Sequence, residues 1–397
     1  MDCFVYDGIR SPIGRRAGGL SSIRPDDLLG LCIKEAIRRT GVAADQIDDV
    51  IAGCTSQSGE DARNVARHAS LVAGLPVSIP GQTVNRLCGS GMQAVLSAAH
   101  ASTAQQGELF IAGGVESMTR APFVLSKSET AFAREPKMFE ALGARFPNPR
   151  IIKEFGGDAM PQTADNVARE LDVTRSAADQ FALASQLKYT QAKQAGFYDD
   201  EILPIEIRGR KGAAATVAED EHPRGETTIE GLQALKTLYA DGVVTAGNAS
   251  GVNDGAVALL VGSRSAGKRL GLRPRARVLA GAVSGIAPRV MGLGPVDASR
   301  IALKRAGLSL AQMDVIELNE AFAAQVLGCL KLMDLCGDDK RVNANGGAIA
   351  IGHPLGASGA RLVLTATRQL EHINGRYALA TMCIGLGQGI AVVIERC

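Results

Sequence analysis

Three side chains in glycine-rich surroundings could together carry out chemistry on carbon–sulfur bonds. Cys88 lies in the stretch NRLCGSG at 85–91, directly before an apolar helix pattern. The unpaired N–H groups and partial positive charge of a helix start favour a thiolate and can stabilise a developing oxyanion. His353, in the stretch GHPLG, offers a base, and Cys383, in CIGLGQG, offers a second thiol. A nucleophile, a base and an acid/base thiol predict carbon–sulfur chemistry.

Each of these residues also has a structural interpretation. Cys88 and Cys383 could be small buried residues before a turn, and His353 could occupy an exposed loop tip. Asn319 and Glu320 could be a helix N-cap and its first turn, although their place after an apolar strand is where open α/β sheets bind ligands. The other histidines lie mostly in polar stretches and are predicted to be solvent-exposed: His68, His100, His222 and His372.

The bulk composition predicts a soluble globular protein of two or three domains. The chain has 397 residues with 46% hydrophobic content and a net charge of +2. It has no tryptophan and few aromatic residues, which gives a nucleic-acid partner little support. The first residues predict a strand rather than a signal sequence, and the apolar runs are shorter than the roughly 20 residues that span a bilayer. We therefore expect a cytoplasmic protein without a membrane partner.

The cysteine pattern argues against a disulfide framework and a metal site. Eight cysteines are dispersed, with no C-x-x-C pair and no H-x-x-x-H. The stretch 262–269 resembles a phosphate-binding loop, but Arg269 replaces the residue that would bind magnesium, and no G-x-G-x-x-G opens a helix. We expect no metal and no permanently bound cofactor.

The order of predicted elements indicates a duplicated α/β unit. Strand patterns at 49–53 and 109–114 alternate with a helix at 64–73 and the helix after Cys88. The same rhythm returns in strands at 314–318 and 377–383 and helices at 320–333 and 358–371. The spacing between the two sets is nearly constant and places Cys88 and the His353 stretch at equivalent helix starts. If the halves pack about a pseudo-twofold axis, those helix N-termini point toward each other.

A charged, proline-punctuated segment separates the two halves. It contains helix patterns at 163–171 and 176–196, and we interpret it as an insertion that covers the substrate. The predicted domains are an N-terminal half at 1–120 plus 243–270, a loop domain at 121–242 that covers the ligand site, and a C-terminal half at 271–397.

With these stretches in view, the whole chain resembles the thiolases, the acyl-CoA:acetyl-CoA C-acyltransferases, and most closely their branch that cleaves 3-oxoadipyl-CoA in aromatic catabolism. The resemblance rests on motifs in family order at 85–91, 113–118, 247–251, 319–323, 352–356 and 383–385. It implies a five-layered αβαβα fold of two similar halves with an inserted loop domain. It also implies coenzyme A as co-substrate, acyl-CoA thioesters as ligands, and a homo-oligomer, either a tetramer or a dimer.

The resemblance also implies a role for each site residue. Cys88 would be the acyl-accepting nucleophile, His353 its activating base and Cys383 the acid/base for acetyl-CoA or the incoming CoA thiol. One oxyanion hole would combine the His353 imidazole with a water held by Asn319, and the other would use the N–H groups of Cys88 and Gly385. The kinetics would be ping-pong.

Further residues are implied at positions that contact the substrate or CoA in thiolases. These candidates are Arg224, Leu235, Ser250, Met160, Ala321 and Phe322.

A few residues and segments bear on which acyl group the protein accepts. Ala159 stands where acetoacetyl-CoA thiolases carry a histidine, which indicates a different acyl pocket, whereas segments 59–67 and 123–149 look like the oxoadipyl branch. A terminal carboxylate would require an arginine; Arg134, Arg145 and Arg150 are candidates, although the sequence favours a solvated loop residue for each of them.

Alternative functions stay open at this point. Within the family, the chain could be an acetyl-CoA acetyltransferase or a broad 3-ketoacyl-CoA thiolase. A decarboxylating condensing enzyme would share the fold but would not need Cys383. A non-enzymatic carrier would be expected to lose one of Cys88, His353 and Cys383, and all three are present.

Overall fold

The computed structural model describes every residue of the chain except 129, 133, 144 and 209–213, which all fall in the predicted loop domain. The strands are β1 (Phe4–Arg10), β2 (Gly14–Arg15), β3 (Asp49–Gly53), β4 (Gly81–Val84), β5 (Leu109–Ser117), β6 (Phe123–Leu125), β7 (Met138–Glu140), β8 (Ile205–Arg208), β9 (Ala214–Val217), β10 (Asn253–Gly262), β11 (Ala276–Gly285), β12 (Val315–Leu318), β13 (Tyr377–Ile384) and β14 (Gln388–Arg396). The helices are α1 (Pro25–Thr40), α2 (Val65–Val72), α3 (Ser90–Thr103), α4 (Pro149–Phe155), α5 (Met160–Glu170), α6 (Arg175–Gln194), α7 (Ile229–Gln233), α8 (Arg264–Leu270), α9 (Gly294–Ala306), α10 (Ala323–Leu332), α11 (Ala348–Ile351) and α12 (Leu355–His372).

The two halves of the chain build sheets of the same topology. The first has the order β4-β3-β5-β10-β1 and the second the order β12-β13-β14-β11. In each half two neighbouring strands are parallel and the next two pairings are antiparallel. Val342 pairs in parallel with Ile316, at the place that β4 takes beside β3. This correspondence confirms the predicted duplication, and the sheets meet edge to edge through β1 and β11.

Alternating side chains sort the fold into layers. In β5, Phe110 and Ala112 pack into a central apolar cluster with α3 and α12, while Leu109 and Ile111 pack on the other face with α1 and α2. The second sheet shares the central cluster through β13 and β14 and packs its outer face against α9 and α10. The layers are therefore helices, sheet, central helices, sheet and helices, which is the predicted αβαβα arrangement.

The sequence patterns locate the elements of both halves to within a few residues. Strand β3 and helix α2 match the prediction closely, and α12 begins three residues before the predicted start at 358. Helix α10 begins at Ala323 rather than at Glu320, because Phe322 is extended and residues 321–323 pair with the 248–250 segment. The stretch resembling a phosphate-binding loop is the ordinary start of α8, capped by Ser263. The domain boundaries stay a prediction.

The central helices α3 and α12 are packed through glycines in their first turns. A Cβ atom added to Gly91 would lie 2.6 Å from the Gly356 carbonyl oxygen, and one added to Gly359 would lie 2.4 Å from the Met92 nitrogen. Only glycine permits so close an approach of two helix backbones. The N-terminal turns of the two helices are therefore in direct contact, as predicted from the repeat.

The segment between the halves contains α4 to α7 and the short hairpins β6–β7 and β8–β9. Helix α6 lies against α10 and α11 of the second half and connects this segment to the core. None of the described helices combines the length and hydrophobicity that crossing a bilayer demands.

Candidate active site

The backbone around Cys88 forms a tight turn at the start of α3. Leu87 has a left-handed φ of 45°, and its carbonyl oxygen accepts hydrogen bonds from the N–H and the Oγ of Ser90. A Cβ atom on Gly89 would lie 2.6 Å from Cδ1 of Ile384, so glycine lets the turn contact the end of β13. Cys88 is thereby held against the Cys383 segment of the other half.

The electrostatic environment keeps the Cys88 thiol neutral. Burial raises the pKa of Cys88, while the backbone N–H groups of Gly385 and of Cys88 itself, both directed at Sγ, lower the pKa by less. The expectation that the helix start favours a thiolate is therefore wrong for the resting protein, because desolvation outweighs the dipolar groups. The two N–H groups are both directed at the Cys88 sulfur, and the oxyanion hole that they would form for a substrate oxygen stays a prediction.

Cys383 is a fully buried thiol near the end of β13. Burial raises its pKa well above the ordinary range, and the neighbouring Cys88 raises the pKa further. Its side chain packs in an apolar cluster with Ala321 and Phe322, two of the predicted substrate-binding residues. The two candidate thiols are therefore close enough to interact, although 295 residues separate them in the sequence.

The imidazole of His353 is buried and held by polar contacts. Its Nδ1 lies 2.7 Å from Ser358 Oγ, which donates its own hydrogen to the Pro354 carbonyl oxygen. Ser358 must then accept a hydrogen from Nδ1, which leaves Nε2 unprotonated. The backbone N–H of His353 donates to Asn253 Oδ1 at 2.9 Å. These contacts present Nε2 as the basic atom.

The surroundings also keep this imidazole uncharged. Burial lowers the pKa of His353 to about 3, and the positive charge of Arg361 on α12 contributes in the same direction. A neutral imidazole can act as a base, whereas an imidazolium cannot.

Asn319 follows β12 and brings an amide to the same imidazole. Its Nδ2 lies 3.4 Å from His353 Nε2. Its Oδ1 is buried and has no hydrogen-bond partner within the part of the chain that the structure describes. A buried amide oxygen without a partner is costly, which marks Asn319 as a residue kept for a ligand or a water.

Glu116, at the end of β5, ties the two helix starts together. Its Oε2 accepts hydrogen bonds from the N–H groups of Thr55 and Gly356, and its Oε1 accepts one from Ser56. Thr55 in turn donates its hydroxyl to the carbonyl oxygen of Leu87. One carboxylate therefore positions both the loop beside Cys88 and the first turn of α12.

The predicted substrate-binding and CoA-binding residues fall into two groups. Arg224 and Leu235 line a cleft of about 260 Å³ between α6 and α7. Ser250 donates its N–H to the Ala321 carbonyl oxygen at 2.9 Å, beside the bridge between Ala249 and Phe322, which joins the motifs at 247–251 and 319–323. Met160 starts α5, and its Sδ lies close to Gly385. The cleft and the thiols are connected through Ala249, which lines the cleft and packs with Cys383.

His222 is the histidine whose predicted solvent exposure is wrong. His68, His100 and His372 are exposed, but His222 is half-buried, lines the cleft and packs against Gly251. Burial lowers its pKa to about 4, and the charge of Arg224 contributes in the same direction.

Several residues of the site were not identified from the sequence. Ser358 is the exception that carried a signal, because the repeat aligns it with Ser90 at the equivalent helix start. Glu116 lies in the motif at 113–118, but its role was not identified. Three others have isolated sequence positions and acquire their contacts only in the fold: Asn253, Gln186 and His222.

One group of potential metal ligands occurs among the described residues. Ligand atoms of Cys54, Asp61 and Glu116 lie within 4.8 Å of one another. Asp61 accepts from the N–H groups of Ser58 and Gly59 and from the Cys54 thiol, and both oxygens of Glu116 accept from backbone N–H groups. Hydrogen bonds within the protein account for this group.

The three loop arginines proposed for a substrate carboxylate occupy different places. Arg145 is half-buried and donates from Nη2 to the Ser56 carbonyl oxygen at 2.8 Å, beside the Cys88 turn. Arg134 and Arg150 are exposed.

Comparisons with known proteins agree with this geometry. The chain matches the family models for the thiolase N-terminal domain over residues 3–265 and the thiolase C-terminal domain over residues 272–396. It is 55% identical to the 3-oxoadipyl-CoA/3-oxo-5,6-dehydrosuberyl-CoA thiolase of Escherichia coli K12, over 100% of this chain and 99% of that protein. It is 54% identical to a beta-ketoadipyl-CoA thiolase of Acinetobacter baylyi, over 99% of each.

A solved structure shows the same fold. Human mitochondrial 3-ketoacyl-CoA thiolase superposes with a TM-score of 0.93 at 40% identity, over 100% of this chain and 99% of that one. With both family models matched and full-length relatives above half identity, this chain belongs to the thiolase family of acyltransferases.

Proposed function

We propose that this protein cleaves 3-oxoadipyl-CoA with coenzyme A to give succinyl-CoA and acetyl-CoA, through an acyl thioester on Cys88. The observations that carry the reaction are that Cys88 and Cys383 lie close enough to interact and that the first turn of α12, which follows the His353–Asn319 pair, packs directly on the first turn of α3. The names of the relatives at 53–55% identity support the substrate.

The first stage forms the acyl-enzyme. His353 Nε2 accepts the Cys88 proton, and the sulfur attacks the 3-keto carbon of the substrate. The bond between C2 and C3 then breaks, and the electron pair passes to C2 of acetyl-CoA. Cys383 supplies the proton that converts this carbanion to acetyl-CoA, because its neutral thiol is the acid beside the reacting sulfur.

The second stage releases the acyl group. The Cys383 thiolate left by the first stage accepts the proton of an incoming CoA thiol, and the CoA sulfur attacks the Cys88 thioester. The leaving Cys88 sulfur recovers its proton from His353. Each proton donor is therefore restored, and ping-pong kinetics are expected because acetyl-CoA leaves before coenzyme A attacks the acyl-enzyme.

There is a physical reason why Cys88 and His353 are both neutral in the resting protein. A proton transfer from Cys88, whose pKa is raised, to His353, whose pKa is about 3, is uphill before substrate binds. Negative charge becomes favourable only on the substrate oxygen, where hydrogen-bond donors meet it. One set of donors is the N–H groups of Cys88 and Gly385, and the other is Nε2–H of the protonated His353 with a water on Asn319. Stabilisation is thus reserved for the charge that develops during the reaction.

Coenzyme A is proposed to lie along the cleft between α6 and α7. Arg224 contributes a cation for the phosphate groups, while Leu235 and Ala249 contribute apolar contacts, and the chain leads from there to the thiols. His222, Gln186 and Ser250 complete the contacts on the way to Cys383.

We also infer a homo-oligomer that acts in the cytoplasm. The β6–β7 hairpin exposes Phe123 at 66%, Leu125 at 60% and Met138 at 63%, an apolar surface suited to a second copy. All eight cysteines are free, in keeping with a reducing compartment. Light scattering of the purified protein tests the oligomer, and a monomer at micromolar concentration would contradict it.

A thiolysis assay tests the proposed reaction and its substrate. The kcat/KM values for 3-oxoadipyl-CoA, acetoacetyl-CoA and 3-oxooctanoyl-CoA are compared, and the first is expected to be the highest. A higher value for acetoacetyl-CoA would overturn the substrate while leaving the thiolase reaction intact. A higher value for 3-oxooctanoyl-CoA would favour a broad 3-ketoacyl-CoA thiolase.

A further inference from the structure

Arg145 is a half-buried cation near the active site that lacks an acidic partner among the residues the structure describes. Its Nη2 donates to the Ser56 carbonyl oxygen at 2.8 Å, and among the described residues no carboxylate oxygen lies within 4.0 Å of its guanidinium. Other arginines near the loop form ion pairs of this kind, as Arg120 does with Glu60. A partly desolvated guanidinium with free donors is suited to an anionic ligand.

The anchor of Arg145 belongs to the platform that supports the nucleophile. Ser56 is buried, and its N–H donates to Glu116 Oε1 at 3.0 Å. The preceding residue, Thr55, donates its hydroxyl to the carbonyl oxygen of Leu87, the residue before Cys88. The Arg145 guanidinium therefore binds Ser56, and the neighbouring residue Thr55 contacts the Cys88 turn directly.

An aromatic contact lies next to Arg145 in the chain. The next residue, Phe146, is 54% exposed and has a left-handed φ of 48°, and its ring lies 4.7 Å from that of Phe139 in β7. The hydrogen bond to Ser56 restricts the guanidinium, which therefore loses less entropy on binding a ligand than a freely solvated one.

We propose that Arg145 binds the terminal carboxylate of a dicarboxylic 3-oxoacyl-CoA and so selects the acyl group carried by Cys88. This inference rests on the proposed function and names the residue behind its specificity. A planar guanidinium can donate two parallel hydrogen bonds to a carboxylate. A succinyl group spans only about 5 Å from sulfur to carboxyl carbon, given C–C bonds of about 1.5 Å. Its receptor must therefore lie near the Cys88 turn, and Arg145 is linked to that turn through Ser56 and Thr55.

Apolar side chains lie beside Gly385, the residue whose N–H is directed at Cys88 Sγ. Leu87 Cδ1 and Met160 Sδ both approach Gly385, at 3.4 and 3.7 Å from the place of a Cβ atom there. These side chains suit the methylene groups of the acyl chain and leave its charged end to the arginine.

The other two loop arginines do not have this arrangement. Arg134 lies in the connection between β6 and β7, and Arg150 lies in the first turn of α4. Both are exposed, and within the described part of the chain neither guanidinium forms a hydrogen bond or ion pair. They serve as matched controls for the removal of a loop cation.

The test compares two substrates of equal carbon number. Thiolysis of 3-oxoadipyl-CoA and of 3-oxohexanoyl-CoA, which ends in a methyl group, is measured for the wild type and for Arg145→Gln. The variant is expected to lose roughly 10- to 100-fold in kcat/KM for 3-oxoadipyl-CoA, the effect of one charge-assisted contact, and to keep its rate on 3-oxohexanoyl-CoA. Arg145→Lys should recover part of the loss, whereas Arg134→Gln and Arg150→Gln should change neither rate.

The outcomes separate this inference from the proposed function. An equal loss of kcat/KM on both substrates would show that Arg145 supports the loop at 54–57. No loss on either substrate would show that Arg145 does not contact the acyl group. Either result overturns the inference. A wild type that cleaves 3-oxohexanoyl-CoA but not 3-oxoadipyl-CoA overturns the proposed substrate together with the inference. A wild type that cleaves neither overturns the proposed substrate and leaves Arg145 without this role.

Discussion

Helices α3 and α12 occupy equivalent places in the two halves, yet their starts are chemically different. The start of α3 presents Cys88, and the strand ends beside it are occupied by structural hydrogen bonds, as in Glu116. The start of α12 presents His353, and the strand ends beside it carry a buried thiol, Cys383, and the amide of Asn319, whose oxygen has no hydrogen-bond partner among the described residues. The two halves thus have similar helix starts with different roles. The first half supports the nucleophile, and the second half provides the acid, base and amide groups.

Removal of the nucleophile from the first half should have the largest effect on the thiolysis rate. Cys88→Ser is expected to lower the thiolysis rate by at least about 10³-fold, because a serine hydroxyl is not ionised by a base as weak as His353. Mass spectrometry of the protein mixed with substrate should detect an acyl adduct on the wild type only. Cys336→Ser, at an exposed cysteine, is the control and should retain the wild-type rate.

The thiol of the second half should matter almost as much. Cys383→Ala is expected to lower turnover by about 10³-fold, because proton transfer to and from acetyl-CoA fails. Exchange of deuterium from solvent into the acetyl-CoA methyl group measures this step directly. Cys329→Ala removes another fully buried thiol and controls for the cavity. Equal losses in the two variants would assign Cys383 a packing role.

The amide of the second half should have an intermediate effect. Asn319→Ala is expected to lower kcat by about 10²-fold with little change in KM, because an oxyanion contact acts mainly in the transition state. Steady-state kinetics of thiolysis measure the split. A rise in KM at constant kcat would place Asn319 in ground-state binding instead.

The hydroxyl that orients the base should have a smaller effect. Ser358→Ala is expected to lower kcat by about 10-fold, because Nδ1 loses its acceptor and Nε2 is no longer held unprotonated. The dependence of kcat/KM on pH is the informative measurement, since a purely structural defect would lower the profile without changing its shape.

The buried imidazole should also couple stability to pH. Its pKa is about 3 in the folded protein and 6.5 when unperturbed. Between these values the unfolded chain binds a proton that the folded chain does not, so this contribution to stability is complete above about pH 6.5 and is lost as the pH falls toward 3. Urea unfolding of the wild type and of His353→Gln between about pH 7.5 and 5 should show the weaker pH dependence in the variant. Parallel curves would contradict the depressed pKa.

Much of the fold and the main site residues could be predicted from the sequence because they depend on local pattern. Glycines around Cys88, His353 and Cys383 mark tight turns and close backbone contacts, and the alternation of strands and helices marks the duplicated unit. The end of the extended segment at Phe322 and the burial of His222 were not predictable, because both depend on chain segments remote in sequence.

The sequence by itself determined the types of the reacting groups, their glycine-lined turns and the repeated order of strands and helices, since these follow from residue chemistry and hydrophobic periodicity. The tertiary structure alone decided which groups meet. It set both thiols and the imidazole in their neutral forms by burial, it gave Glu116 its three backbone partners, and it placed Arg145 on the Cys88 platform. Desolvation and long-range contacts belong to the packed molecule, and no local pattern encodes them.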